Sequence, residues 1–186
     1  MAVALAGIFL FARGLREWDG RTRFTVIELG PPVVIMSFDP QTQKGLKLKL
    51  PDDLEVQSVG GRGKWRAAVL AKAGENKWGA DSVAETLGIT YVAVKARMVM
   101  WDRWVWELVV RKGEWQEINL EETALVEKET STDGIMIWHL LPAWKLKVGE
   151  WFSSGAIASE QLKVRVINTT AVPGLGAEAA TVIDNM

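Results

Sequence analysis

The chain has 186 residues, which is enough for one full domain and part of a second. Hydrophobic residues make up 48% and charged residues 24%, a balance that excludes a disordered chain. The 22 basic and 23 acidic residues nearly cancel and form no block of like charge, so we expect no nucleic-acid binding. The chain has no cysteine, which excludes disulfides and thiolate metal sites.

Twelve uninterrupted apolar residues, Met1–Ala12, open the chain, and charged residues follow from Arg13 onward. Twelve residues are too few to span a bilayer, which takes about 20. The segment is compatible with a core strand, with the core of a signal peptide that lacks its basic leader, or with the outer half of a membrane helix. We favour the membrane helix and expect a partial anchor over residues 1–16.

Three strands are predicted next, at Phe24–Leu29, Val33–Phe38 and Gly45–Leu50. A Gly-Pro-Pro turn separates the first two, and Asp39–Thr42 forms a turn before the third. The third strand alternates apolar and basic residues, so its three leucines should face the core and its lysines the solvent.

A glycine-rich loop at Gly60–Lys64 leads into a predicted helix at Lys64–Lys72. A second helix is predicted to start at the Asp81-Ser82 cap and to end at Gly88. The loop lacks the Ser or Thr that follows the lysine of a phosphate-binding P-loop, which argues against nucleotide binding.

From position 92 to position 108 the even-numbered residues are almost all apolar, and this alternation predicts a strand. Asp102 interrupts the pattern and indicates a bend. On this pattern Trp104 and Trp106 lie on one core-facing side together with the methionines of the same run.

The rest of the body is predicted to be mostly strand. A hairpin turn at 111–114 precedes a strand at Trp115–Leu120, a polar loop or short exposed helix covers 121–132, and strands follow at Ile135–Leu141 and Lys145–Val148. Since the helices lie between strands, we expect a mixed α/β fold with helices packed on a central sheet.

The last 25 residues, Leu162–Met186, have the pattern of a strand, a Pro-Gly turn and a helix that starts at Leu175. A lone strand and helix have too few partners to bury their apolar faces. We therefore predict a linker at 153–161 and the start of a second, truncated domain at 162–186.

Two groups of motifs stand in a distinctive order. In the middle of the chain, the turn D-P-x-T-x-K at Asp39–Lys44 is followed by a strand, a P-x-D corner at Pro51–Asp53, the glycine-rich loop and a helix that closes in E-x-L-G-I at Glu85–Ile89. In the tail, V-x-V-I-N at Val164–Asn168 precedes V-P-G-L at Val172–Leu175. This order resembles the LytR-CpsA-Psr family and covers about half of the chain.

The resemblance implies a LytR-CpsA-Psr-like domain at 17–152, followed by the start of a LytR C-terminal domain. Members of the family transfer glycopolymers from a polyprenyl-pyrophosphate carrier onto peptidoglycan. That chemistry needs guanidinium groups, carboxylates and usually a divalent metal at the pyrophosphate. The resemblance also implies a single N-terminal anchor in the bacterial cytoplasmic membrane, with the bulk of the chain outside the cytoplasm.

Several charged residues of the family pattern are replaced in this sequence. The Arg-Asp pair after the proline becomes Asp52-Asp53, so that only the carboxylate of Asp53 survives as a weak catalytic candidate. The Arg and Asp expected before the second strand are replaced by Leu29–Pro32, and the Lys-x-Asn after the loop keeps only Lys64. We therefore expect a degenerate, non-catalytic relative without a cofactor that binds or scaffolds cell-wall glycopolymer or peptidoglycan. The alternatives are an active phosphotransferase that uses Mg²⁺ and a plain interaction domain that binds no ligand.

Candidate binding residues follow from these expectations. Arg62 and Lys64 are candidates for an anionic ligand, whereas a structural loop is the simpler interpretation. The Asp52-Asp53 corner is most simply a solvated turn. His139 is the sole histidine, and with no Cys or second His beside it we expect a packed or edge residue and no metal site.

Tryptophan is abundant, with ten residues in the chain. Three of them, unlike the core residues Trp104 and Trp106, are candidates for a surface row that stacks on sugar rings or contacts lipid at a membrane interface, although the sequence does not place them together: Trp101, Trp115 and Trp151.

Overall fold

The computed structural model describes residues 17–18, 20–73, 76–130, 133–153, 166–167, 169 and 174–184. The predicted anchor at 1–16, nearly all of the predicted linker and most of the predicted tail strand lie outside the described residues. Within the described ranges, no helix is both long and apolar enough to cross a bilayer.

The described residues contain nine strands in three sheets. Their bounds are β1 Phe24–Glu28, β2 Val34–Asp39, β3 Lys44–Lys49, β4 Glu55–Gln57, β5 Lys64–Arg66, β6 Ala93–Val94, β7 Glu114–Asn119, β8 Val126–Thr130 and β9 Met136–Leu140. The central sheet has five strands in the order β6-β1-β2-β3-β7, and the pairs β4-β5 and β8-β9 form two small sheets.

Five α-helices and three single 3₁₀ turns complete the described part of the chain. The helices are α1 Ala67–Lys72, α2 Asn76–Leu87, α3 Met100–Lys112, α4 Trp144–Phe152 and α5 Leu175–Asp184. The 3₁₀ turns are Val59–Gly61, Lys95–Arg97 and Leu120–Glu122.

The directions of the strands bring the ends of several strands to one edge of the central sheet. β1, β2 and β3 form an antiparallel meander, whereas β6 runs parallel to β1 and β7 parallel to β3. The carboxyl ends of β1, β3, β6 and β7 therefore meet at one edge, which we call the carboxyl edge. The pairing register places four residues in one row there: Glu28, Val34, Lys49 and Asn119.

The two faces of the central sheet carry separate cores, because side chains alternate along each strand. On one face, Ile27, Ile35 and Leu48 are fully buried in a cluster with residues of α1, α2 and α4. On the other face, Phe24 and its neighbours pack against Trp106 of α3. The mixed α/β fold is as predicted, but helices lie on both faces of the sheet.

The first three predicted strands are confirmed to within one or two residues at their ends. The leucines of the third are buried as predicted, with Leu50 immediately after β3. The predicted second helix also ends as expected, at Gly88, whose φ is 66°. It begins at Asn76, several residues before the predicted cap.

Two predictions in the following stretch are wrong. Residues 64–66 of the predicted first helix form β5, and the helix starts only at Ala67. The predicted strand over 92–108 is largely the helix α3. Trp106 is buried as predicted, whereas Trp104 is exposed, because residues two apart lie on different sides of a helix.

One further difference follows from this helix, and two others concern later segments of the chain. The segment 111–114 is not a hairpin turn, because β7 pairs in parallel with β3 and α3 must therefore cross one face of the sheet. The polar segment 121–132 contains β8, and the predicted short strand at Lys145–Val148 lies within α4. The helix predicted from Leu175 is confirmed as α5.

Candidate functional site

The carboxyl edge carries charged residues from several stretches of the chain. Asp52 and Asp53 follow β3 there, and the β4-β5 hairpin continues from them. Glu28 ends β1, and Lys95 follows β6 at the same edge. The edge therefore combines carboxylates and cations from four separate stretches of chain.

Asp53 is paired with a cation that the sequence did not indicate. Its Oδ1 lies 3.1 Å from Arg66 Nη1, and both side chains are partly exposed, so the pair contributes at most about 1 kcal/mol. The backbone carbonyl of Asp53 accepts a hydrogen bond from the Trp138 amide at 3.1 Å. Asp52 is exposed, and its carbonyl accepts from the Ala68 amide, as in the solvated-turn interpretation.

Lys64 is also held by a carboxylate of the protein. Its Nζ lies 2.7 Å from Glu55 Oε1, and this hydrogen bond raises the pKa of the Lys64 ammonium. His139 lies in β9 between two carboxylates, with Nδ1 3.5 Å from Glu55 and Nε2 3.4 Å from Glu129. The histidine is therefore an edge residue in a network of charged side chains.

The glycine-rich loop rests on two indole rings. The Arg62 guanidinium lies 5.2 Å above the centre of the Trp78 ring, and Trp65 meets Trp78 edge to face at 5.7 Å. The indole nitrogens donate to loop carbonyls, Trp65 Nε1 to Arg62 at 2.9 Å and Trp78 Nε1 to Val59 at 3.1 Å. Trp65 remains 36% exposed. We call Arg62, Lys64, Trp65 and Trp78 the loop platform.

Glycines make this loop possible. Gly60, Gly61 and Gly63 have φ angles of 76°, 70° and 86°, in the left-handed region that residues with a side chain rarely adopt. The Ser58 hydroxyl closes the loop by donating to the Gly63 carbonyl at 2.7 Å. The loop is thus an ordered turn that connects β4 to β5 and carries Arg62, with Lys64 at the start of β5.

The structure does not bring the three candidate tryptophans together. Trp115 packs against Phe38 and Trp106 on one face of the central sheet. Trp151 meets Trp144 edge to face at 5.9 Å within the core of the other face. Trp101 lies on α3 with its ring centre 5.6 Å from that of Trp104. These residues form no common row for a sugar chain.

A cavity of about 360 Å³ opens beside the last residues of β1. Lys95 Nζ lies 2.9 Å from both carboxylate oxygens of Glu28 at its rim. Arg103 Nη2 donates to the Lys95 carbonyl at 3.3 Å, and Trp106 and Glu107 complete the lining. The cavity therefore contains two cations and two carboxylates.

The donor set at the carboxyl edge does not match a metal held by the protein. Among the described residues, no group of three His, Cys, Asp or Glu side chains is arranged to hold a metal ion. The surviving carboxylate of the family pattern, Asp53, is engaged by Arg66.

Comparisons with known proteins agree with the architecture. No protein-family profile matches the sequence, and no curated protein matches it. Among solved structures, that of B. subtilis TagT superposes with a TM-score of 0.53 and 13% identity over 72% of this chain and 91% of that chain. A LytR-CPS2A-psr family protein, YwtF (TagT), with bound octaprenyl pyrophosphate lipid gives a TM-score of 0.50 and 12% identity over 70% and 89%. The chain therefore has the mixed α/β fold of the LytR-CpsA-Psr proteins.

Proposed function

We propose that this protein is a membrane-anchored component of the cell envelope that binds a phosphate-containing cell-wall glycopolymer, free or linked to a polyprenyl pyrophosphate, without transferring it. The proposed location in the cell envelope rests on the fold and on the apolar segment Met1–Ala12, which we assign to the anchor. The solved YwtF structure, which holds an octaprenyl pyrophosphate lipid, supports the ligand class. The motifs of the tail support a second, LytR C-terminal-type domain from residue 162.

One observation carries the non-catalytic assignment: three cations of the carboxyl edge are each paired with a carboxylate of the protein itself. Arg66 binds Asp53, Lys64 binds Glu55, and Lys95 binds Glu28. Cleavage of a pyrophosphate needs cations that stabilise the charge of the leaving group. Here each of those cations is already neutralised by a carboxylate that would remain beside the diphosphate, and Asp52 adds a further negative charge at the same corner.

Binding without cleavage requires only a surface for a sugar ring and hydrogen-bond donors for a phosphate, and the loop platform provides both. The exposed indole of Trp65 offers an apolar surface on which a sugar ring packs. Arg62 lies over the neighbouring Trp78 ring, Lys64 precedes Trp65 in the chain, and both cations suit hydrogen bonds to a phosphodiester. Because the Lys64–Glu55 pair is exposed to solvent, its exchange for a ligand phosphate costs little.

Binding and cleavage can be measured on the same sample. The full chain is mixed with a polyprenyl-pyrophosphate-linked glycan, Mg²⁺ and peptidoglycan, and both retention of glycan and release of polyprenyl phosphate are followed. We expect retention without release. Arg62→Ala with Trp65→Ala should weaken binding at least about tenfold, since the loss of a charged hydrogen bond and a stacking contact exceeds about 1.4 kcal/mol. Lys145→Ala, an exposed cation on α4, is the matched control and should bind as the parent does.

The second candidate function is the family's phosphotransfer, and one contact favours it. Arg66 places a guanidinium 3.1 Å from Asp53 and so restores, from another strand, the arginine that the local motif lacks. Release of polyprenyl phosphate that Asp53→Ala abolishes would establish this alternative and refute the non-catalytic proposal. Equal glycan binding by the parent and the Arg62/Trp65 double variant would instead refute the platform as the binding site.

A further inference from the structure

The outward side of α3 carries large apolar side chains at its beginning. Met100 is 86% exposed and Trp104 is 58% exposed, and a spacing of four residues places both on the same side of the helix. The Trp101 ring lies against that of Trp104, with 5.6 Å between ring centres. The buried residues of α3, Asp102 and Trp106, lie on the opposite side. We call Met100, Trp101 and Trp104 the α3 patch.

The chain enters the domain at the first turn of α3, on the buried side of the helix and at the same end as this patch. The backbone amide of Glu17 donates to Asp102 Oδ2 at 2.7 Å, in the first turn of α3. Trp18 is buried and stacks on Phe24 with 4.7 Å between ring centres, which fixes the position of Glu17. The sequence that precedes Glu17 contains the apolar run Met1–Ala12. In the sequence, Glu17 follows that run closely, and it contacts the end of α3 that carries the patch.

We propose that the α3 patch docks on the outer surface of the phospholipid bilayer, next to the N-terminal segment. This inference rests on the membrane anchor of the proposed function. Tryptophan prefers the boundary between headgroups and acyl chains, and a helix with one apolar side lies in that boundary parallel to the membrane. Arg111 and Lys112 are exposed in the last turn of α3 and suit lipid phosphates, while Glu107 is an exposed acidic residue between them and the patch.

Docking would also orient the carboxyl edge. Arg103 in the first turns of α3 donates to the carbonyl of Lys95, so the start of the helix is tied to the end of β6. The cavity beside Glu28 and Lys95 lies at the same corner of the molecule. A bilayer in contact with the α3 patch would therefore face this end of the sheet, where a lipid-linked glycan emerges from the membrane.

A single fluorescent label reports on the patch, because the chain has no cysteine to compete for it. Met100→Cys carries an environment-sensitive dye, and the full chain is reconstituted in vesicles of phosphatidylglycerol and phosphatidylethanolamine. We expect a blue shift of the dye emission and protection from an aqueous quencher on vesicle binding. Leu146→Cys is the matched control, since Leu146 is similarly exposed but lies on α4, and its label should keep an aqueous spectrum.

Three outcomes would overturn the docking surface. An aqueous spectrum from position 100 in protein that floats with the vesicles would refute the α3 patch and leave the membrane anchor intact. A label that is already shielded before vesicles are added would show that a second copy or the chain's own N-terminal segment covers the patch. Failure of the full chain to float with vesicles would refute both the docking surface and the anchor.

Discussion

Replacing Arg23 with methionine should destabilise the domain by about 3–5 kcal/mol, the usual cost of removing one partner of a buried ion pair. Arg23 Nη2 lies 3.6 Å from Asp39 Oδ2, and the two side chains are only 15% and 5% exposed. Burial lowers the pKa of the Arg23 guanidinium, and Asp39 opposes that shift. Arg23 also donates to the Ser153 carbonyl at 2.9 Å and the Ser37 hydroxyl at 3.3 Å. The substitution removes all three contacts and leaves a carboxylate buried.

Urea denaturation at neutral pH, followed by tryptophan fluorescence, measures the loss. Arg66→Met is the matched control, because its pair with Asp53 is exposed and should cost at most about 1 kcal/mol. The double variant Arg23→Met/Asp39→Leu should regain much of the loss, since it removes the stranded charge. If Arg23→Met costs no more than Arg66→Met, the assignment of Arg23 as a buried structural cation is wrong.

Two further predictions test the packing. Burial, and then a 2.5 Å hydrogen bond to Asp81, raise the pKa of Tyr91 above its ordinary value of 10.0. The folded state therefore favours the neutral phenol, so the free energy of unfolding should stay constant below pH 10 and fall as the pH rises above 10. Tyr91→Phe should abolish this fall. Phenolate absorbance reports on Tyr91 alone, because it is the sole tyrosine of the chain. Gly45→Ala would push a methyl group into the Trp115 ring and should lower the free energy of unfolding by about 1–3 kcal/mol, measured by thermal or urea denaturation. An unchanged free energy of unfolding would show that the ring moves aside easily.

Local patterns predict the meander β1–β3 because each strand carries its own signal. The leucines of β3 alternate with lysines, and that period is fixed by the geometry of a half-buried strand. The turns of the meander contain Gly, Pro or Asp, which end strands because of their own backbone preferences. Nothing distant is needed to predict these three elements.

The helix α3 could not be predicted from the same kind of evidence alone, since its sequence carries two periods at once. Most of its even positions are apolar, which imitates a strand, while the buried Asp102 and Trp106 are four residues apart, as a helix requires. Asp102 in the first turn and Arg111 and Lys112 in the last match the helix dipole and were usable signals. The parallel pairing of β7 with β3 distinguishes the helix from a strand, because it requires a crossover connection before β7, which a helix supplies.

At the candidate site, single residues were predictable and their partners were not. Asp53 and Lys64 stand in recognisable motifs, and their proposed roles stay predictions. Arg66 meets Asp53, and Lys64 meets Glu55, only through the antiparallel pairing of β4 with β5. From the sequence, the cations of the loop were expected to be available to a ligand. In the structure, the pairing within the hairpin provides Lys64 with Glu55 as a carboxylate partner.

The contact between Arg23 and the Ser153 carbonyl has a mechanical consequence. It joins the start of β1 to the last residue of the described range 133–153, from which the chain continues toward the tail. The segment that precedes Glu17 enters only a few residues before Arg23. A pulling force between the two flanking segments would thus load the contacts of Glu17 and Trp18 and this guanidinium before the hydrogen bonds of the five-stranded sheet.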